Sequence, residues 1–255
     1  MNKLKKIGLT ALAGSLVAGT VNAAEMSVSG SAGISFTGLD SSEVSGNGFT
    51  MGDSLTFSAS GDVNDIGITL SYELDGQGAA TDTFDDHSIT MDFGDAGTLV
   101  FAGHGGSSAL SARDDVMPTA KEEPWDVVTG ADADIINGAA AENQFNYTYS
   151  HDSGILFNMA YNNADAAANA VSYTDFAVEY TGMEGLRVGY AFGDVETTAG
   201  TEQEESTMFA TYATGGFTVG VQTSENDRSG NTTADTESSG FGISYQVNDD
   251  LAVSY

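Results

Sequence analysis

The chain has no cysteine, two prolines, one tryptophan, three histidines and seven basic residues in a length of 255. Each scarcity removes a class of explanation. Without cysteine there is no disulfide framework and no thiolate site, so stability must come from backbone pairing and burial. Seven Lys and Arg against 37 Asp and Glu give a formal net charge of −30, which repels nucleic acid and draws cations to any cleft. His87, His104 and His151 stand apart, without ligand spacing or a triad partner. Gly103-His104-Gly105-Gly106 lacks an accompanying Gly-x-Ser-x-Gly elbow and reads as a bulged strand end. The acidic stretch Asp82 to Asp86 lacks the ordered calcium-loop pattern. No catalytic residue, metal site or cofactor is expected, and the chain does not read as an enzyme.

The N-terminus is the exception to the shortage of basic residues. Lys3, Lys5 and Lys6 precede an apolar stretch from Ile7 to Val21, and Val21-Asn22-Ala23 offers modest side chains for cleavage. Residues 1–23 therefore read as a secretory signal peptide removed after Ala23. Gly8, Thr10, Gly14, Ser15, Gly19 and Thr20 interrupt the run, which falls short of the roughly 20 residues a spanning helix needs. The rest of the chain has no long apolar stretch either. That leaves open strands, which cross hydrocarbon in about 9 to 11 residues with every second one apolar.

Such alternation dominates residues 24–255. In Ile66 to Asp75 the even positions are all apolar and the odd ones are Gly, Thr, Ser, Glu and Asp, the pattern of a strand with one greasy and one wet face. The same period recurs from Met26, Val28, Ile34 and Phe36 through to Leu251, Val253 and Tyr255, giving thirteen expected strands. Their connections alternate in length. Short turns are expected at Gly61–Asp65, Gly94–Gly97, Ser150–Gly154, Thr181–Gly185, Thr214–Gly216 and Val247–Asp250. Long polar ones are expected at Thr37–Met51, Gly76–Asp86, Gly105–Glu142, Asn162–Val171, Asp194–Glu204 and Ser224–Ser238. Short turns at one end and long loops at the other describe an up-and-down antiparallel β-barrel of transmembrane type. Wet faces such as Ser27, Ser29, Ser31 and Ser35 are too hydrophilic for a packed core and must line water.

The connection from Gly105 to Glu142 is far longer than the others and holds both prolines, Pro118 and Pro124, and the only tryptophan, Trp125. A loop of this length usually has a function. With its place after the fifth strand, Thr98–His104, the chain resembles the general-diffusion porins of Gram-negative bacteria. Asp114-Asp115-Val116-Met117-Pro118-Thr119-Ala120, with Glu122-Glu123 and Trp125-Asp126, is similar to the constriction loop of alphaproteobacterial members.

The resemblance implies an all-β, sixteen-stranded homotrimeric barrel in the outer membrane. About thirteen of its strands are present, so residues 24–255 are expected to be a barrel incomplete at its C-terminus. It implies a passive diffusion channel for small hydrophilic solutes and ions, in contact with outer-membrane lipid and lipopolysaccharide. Residues 105–142 would fold inward, with Arg113, Asp114, Asp115, Lys121, Glu122, Glu123 and Asp126 at the constriction and Arg187, Glu73 and Glu179 on the lumen wall. Family members oppose loop acids to a basic cluster on the wall. Here no basic residue occurs between Lys6 and Arg113, and Arg187 is the only one on an expected strand. That shortage points to weak cation selectivity. Two other readings stand beside this one: an exported acidic surface β-protein of adhesin type, and an outer-membrane barrel enzyme using His87.

Overall fold

The computed structural model describes residues 25–36, 49–75, 84–119, 136, 143–162, 172–196, 202–227, 235–249 and 251–255. Residues 1–23 lie outside these. The described strands are β1 (Glu25–Phe36), β2 (Phe49–Val63), β3 (Ile66–Asp75), β4 (Phe84–Asp92), β5 (Thr98–His104), β6 (Gln144–Ser150), β7 (Ile155–Asn162), β8 (Ser172–Tyr180), β9 (Leu186–Glu196), β10 (Glu202–Thr214), β11 (Phe217–Asp227), β12 (Thr236–Asn248) and β13 (Leu251–Ser254). They pair in strict chain order into one antiparallel sheet. Each strand therefore satisfies its backbone polar groups against its sequence neighbours, the local pairing that an up-and-down barrel uses.

The short turns make tight reversals. Asn64 and Asp65, with φ of 51° and 64°, close β2 onto β3. Gly215 and Gly216, with φ of 55° and 86°, close β10 onto β11. Positive φ at both central residues is what a two-residue hairpin needs to match the twist of its strands, and Asn, Asp and Gly tolerate it. The bulged end read at Gly103-His104 also has a structural counterpart. His87 pairs with His104 and Ser88 with Ala102, leaving Gly103 as the extra residue on β5.

Several strands outrun their expected ends. β2 begins at Phe49, inside the stretch Thr37–Met51 read as loop, and continues to Val63 inside the expected turn Gly61–Asp65. β9 reaches Glu196 and β10 starts at Glu202, so most of Asp194–Glu204 is paired ladder. β11 runs to Asp227. The reason is physical: apolar alternation marks only the belt that meets a greasy medium, whereas backbone pairing continues into water, where polar residues carry it.

Burial is inverted relative to a water-soluble domain. Among the described residues nine hydrophobic side chains are buried, while 27 large ones are exposed. The exposed set follows the expected parity, for example Val178 and Tyr180 on β8, Tyr190 and Phe192 on β9, Met208 and Tyr212 on β10, and Phe217, Val219 and Val221 on β11. The intervening positions on these strands include Asp175, Glu179, Thr207, Gln222, Ser224 and Asn226, all buried. Apolar groups facing out and polar groups facing in is stable only if hydrocarbon surrounds the sheet and water lies within it. Among the described residues no helix is long and apolar enough to cross a membrane.

A charge on the outer belt should therefore cost far more than one on the inner wall. Phe176→Arg, in the middle of β8, should destabilise the protein by about 2–4 kcal/mol in refolding into bilayers. Ser71→Lys, on the inner face of β3, should cost within about 0.5 kcal/mol.

Candidate functional site

The polar wall is not uniform. On β1 to β4 it is a lattice of hydroxyls: Ser58 pairs in register with Ser27 on one side and Ser71 on the other, and Ser71 with Ser88. The Ser27 and Ser58 hydroxyls lie 2.6 Å apart, and those of Ser31 and Ser54 3.1 Å apart. Glu73 is also on this wall, at the register irregularity between β3 and β4. On β6 to β12 the inner residues include acidic and amide side chains as well as glycines, and the chain following β5 lies across them.

That chain, residues 105–119, is organised first by its own short contacts. The Ser111 N–H donates to Ser108 Oγ at 2.9 Å and the Ser108 N–H to Ser111 Oγ at 2.7 Å, a reciprocal arrangement that opens a single 3-10 turn at Ser111–Arg113. The N–H groups of Ala109 and Leu110, just before that turn, donate to the two carboxylate oxygens of Asp175 at 3.1 and 2.6 Å. An anion at the N-terminal end of a helical turn satisfies donors that have no partner within the turn. Ala109 and Leu110 pack with Ile136, Ala177 and Ala191 into a small dry cluster between the segment and β8–β9.

Arg113 comes next and is almost fully buried. Its Nη1 donates to the carbonyl oxygen of Ala109 at 2.6 Å and to Asn158 Oδ1 at 3.2 Å. Its Nη2 lies 2.5 Å from Glu179 Oε1. The other oxygen of Glu179 accepts from Arg187 Nε at 2.6 Å, and the Arg187 guanidinium sits 4.8 Å over the Phe209 ring. One buried carboxylate thus bridges two guanidiniums. These are the only basic residues among those described.

Beyond Arg113 the segment is held through Gln222 on β11. Its side-chain amide nitrogen is within 2.8 Å of the carbonyl oxygens of Arg113 and Asp114, and its oxygen accepts from the Val116 N–H at 3.0 Å. Asp114 and Asp115 make only local bonds, accepting the N–H of Asp115 at 2.7 Å and of Met117 at 3.0 Å respectively. Among the described residues neither carboxylate has a cationic partner. Partial burial pushes the Asp114 carboxyl above the usual carboxylate range; the Asp115 N–H bond opposes this and the Asp115 charge adds to it.

Of the residues singled out in the sequence, Arg113, Glu179 and Arg187 converge on one ion cluster, with Asp114 and Asp115 beside it. Glu73 stands apart on β3. Lys121, Glu122, Glu123 and Asp126 lie outside the described residues. Sequence reading passed over Asp175, Asn158, Thr207, Phe209 and Gln222. Apart from Thr207, which looks like any hydroxyl of the wall, their signal was a bulkier or acidic side chain at an inward-parity position where the other wall carries Ser or Thr. His87, the candidate enzyme residue, stacks its ring on Tyr72 with centroids 5.7 Å apart. Among the described residues no group of His, Asp and Glu is set to hold a metal ion.

A single antiparallel meander, apolar outside and polar inside, with a folded segment laid on its inner wall, defines an outer-membrane β-barrel. The family model for Gram-negative porins matches residues 8–255, and the chain belongs to that family. Its fold is similar to that of the anion-selective porin from Comamonas acidovorans, at 17% identity and a TM-score of 0.59, covering 88% of this chain and 75% of that one. It is also similar to a mutant form of the porin of Rh. blastica, at 13% identity and a TM-score of 0.50, covering 90% and 93%. No curated protein matches the chain. The protein is thus an outer-membrane diffusion channel of the porin type.

The ion cluster can be tested by removing its members singly. Glu179→Ala leaves buried Arg113 without its counter-charge and should cost about 3–5 kcal/mol in denaturant unfolding. Arg187→Ala removes a side chain that is 40% exposed and should cost about 1 kcal/mol or less.

Proposed function

We propose that the chain forms a water-filled pore with a weak preference for cations, narrowed by residues 105–142. The observation that carries the reading is the contrast within the inward segment. The two described guanidiniums are both engaged by Glu179, while Asp114 and Asp115 face no cation among the described residues. A permeating ion therefore meets carboxylates whose charge is not cancelled locally. Glu122, Glu123 and Asp126 in the same sequence stretch add to that charge, with Lys121 opposing it. The cluster of Arg113, Glu179 and Arg187 keeps the segment on the wall rather than offering a free cationic surface. On this reading the solutes are small, hydrophilic and not chemically altered.

The same proposal covers the assembly. The mature chain begins after Ala23, sits among outer-membrane lipid and lipopolysaccharide, and associates as a homotrimer. Chemical crosslinking in detergent checks the trimer.

The test of selectivity is the reversal potential of the reconstituted protein in planar bilayers under a salt gradient. A potential of the sign for cation preference is expected, and an ohmic current without it would remove the selectivity assignment. Acidification supplies a second check. Protonation removes negative charge, and the raised Asp114 carboxyl takes its proton before an ordinary carboxylate does. Cation preference should therefore begin to fall, as pH is lowered, above the usual range near 4. Asp114→Asn should weaken the preference at neutral pH and remove that early part of the titration.

A further inference from the structure

Three glycines on the inner wall are unexplained by the backbone. Gly220 on β11 and Gly240 and Gly242 on β12 all occupy inward-parity positions of long strands, and Gly220 pairs directly with Gly242. None has a positive φ. A glycine in such a strand weakens it and leaves nothing to pack, so its presence without a conformational need marks a close approach. What approaches is the inward segment. A Cβ on Gly220 would lie 2.6 Å from Pro118 Cδ, and one on Gly242 would lie 3.1 Å from both Pro118 Cδ and the Pro118 carbonyl oxygen. A Cβ on Gly240 would lie 2.7 Å from Met117 Cε and 2.9 Å from its sulfur. Gln222, in register with Gly240, holds the backbone of the residues just before them.

We infer that Gly220, Gly240 and Gly242 form a side-chain-free seat that sets how far the inward segment stands off the wall, making them positioning residues for the aperture. The inference deepens the channel reading above and rests on it. The seat is complementary to what it receives. Pro118 has no N–H to satisfy against the sheet, and its Cδ approaches both Gly220 and Gly242 so closely that a methyl group on either would displace it. Met117, unbranched and pliable, fills the step beside it. The ion cluster at Arg113 holds the start of the segment by charge, whereas the seat holds its far part by shape. A side chain added at Gly220 or Gly242 must therefore push Pro118 toward the lumen, whereas one at Gly240 displaces first the end of the Met117 side chain.

The test is single-channel conductance of the full-length protein in planar bilayers, with correct folding followed by the heat-modifiable mobility shift of the barrel. Gly242→Val and Gly220→Val should each lower the unit conductance, by roughly two-fold. Pro118→Ala, which deletes the Cγ and Cδ atoms that a Cβ on Gly220 would meet, should restore most of the loss when combined with Gly220→Val. Gly33→Val is the control, because a Cβ there meets nothing within 4 Å, and its conductance should stay that of the wild type. Should the valine variants fail to fold, Gly242→Ala must give a smaller change of the same sign. Folded variants with wild-type conductance, or a loss that Pro118→Ala does not relieve, would overturn the seat. A wild-type chain that passes no current would instead sink the channel reading.

Discussion

Hydrocarbon offers no partner for an N–H or C=O group, and that single fact organises the molecule. Every backbone polar group within the belt must be met by an adjacent strand, at a cost of several kcal/mol for each one left unmet. Pairing each strand with its neighbour in sequence is the simplest way to comply, and β1 to β13 do so without one crossover. Once register is set, side-chain direction has only two values. A slip of one residue would turn Tyr190 and Phe192 inward and Gly189 and Gly193 outward, reversing the whole strand. The greasy exterior and the wet interior are therefore one decision, and the lumen is its consequence.

The inward segment obeys a different rule, since it lies in a polar interior and must be held without much apolar area. Its contacts follow the order of the strands it passes. Asn146 on β6 donates to the Ser107 carbonyl oxygen, Asp175 on β8 receives the next amides, and Glu179 receives Arg113. Gln222 on β11 and the glycines of β11 and β12 then take residues 113 to 118. Burying a guanidinium is unfavourable unless its donors are met and its charge is opposed. Arg113 has its charge opposed and both Nη groups met by the segment's own Ala109 carbonyl, Asn158 on β7 and Glu179 on β8, while its Nε has no partner among the described residues. The segment is thus fixed at several points, each weak alone, on a wall that is itself rigid.

Period-two alternation made most of this legible from the residues alone. Ile66 to Asp75 could hardly be anything but a half-wet strand, and the inward direction of Arg187 followed from the parity of Leu186 and Val188. The strand ends were less legible. Residues such as Glu202 to Glu205 carry no apolar alternation, because the ladder there stands in water, and only pairing with Gly193 to Glu196 defines it. The wall partners of the inward segment were hidden for another reason. Gln222 and Asp175 have the parity of any lumen residue, and nothing in their local sequence says that a segment over 50 residues distant in the chain will lie on them. Glycines 220, 240 and 242 were unreadable in the same way, since a strand glycine gains meaning only from what comes near it.

Charge and shape then divide the control of passage unequally. Two unit charges 4 Å apart interact by only about 1 kcal/mol in bulk water, and counterions screen them beyond roughly 10 Å at 0.1 M salt. Asp114 and Asp115 can bias an ion that passes close by, and that bias fades as the salt rises. The position of the segment is less sensitive to salt. It depends on the buried Arg113–Glu179 pair, on the Gln222 amide and on a close fit of Pro118 against backbone, which salt screens far less than it does exposed charges. On the channel reading, sign preference is a soft property of this pore and aperture a hard one, and the hard property is set by the contacts between the inward segment and the wall.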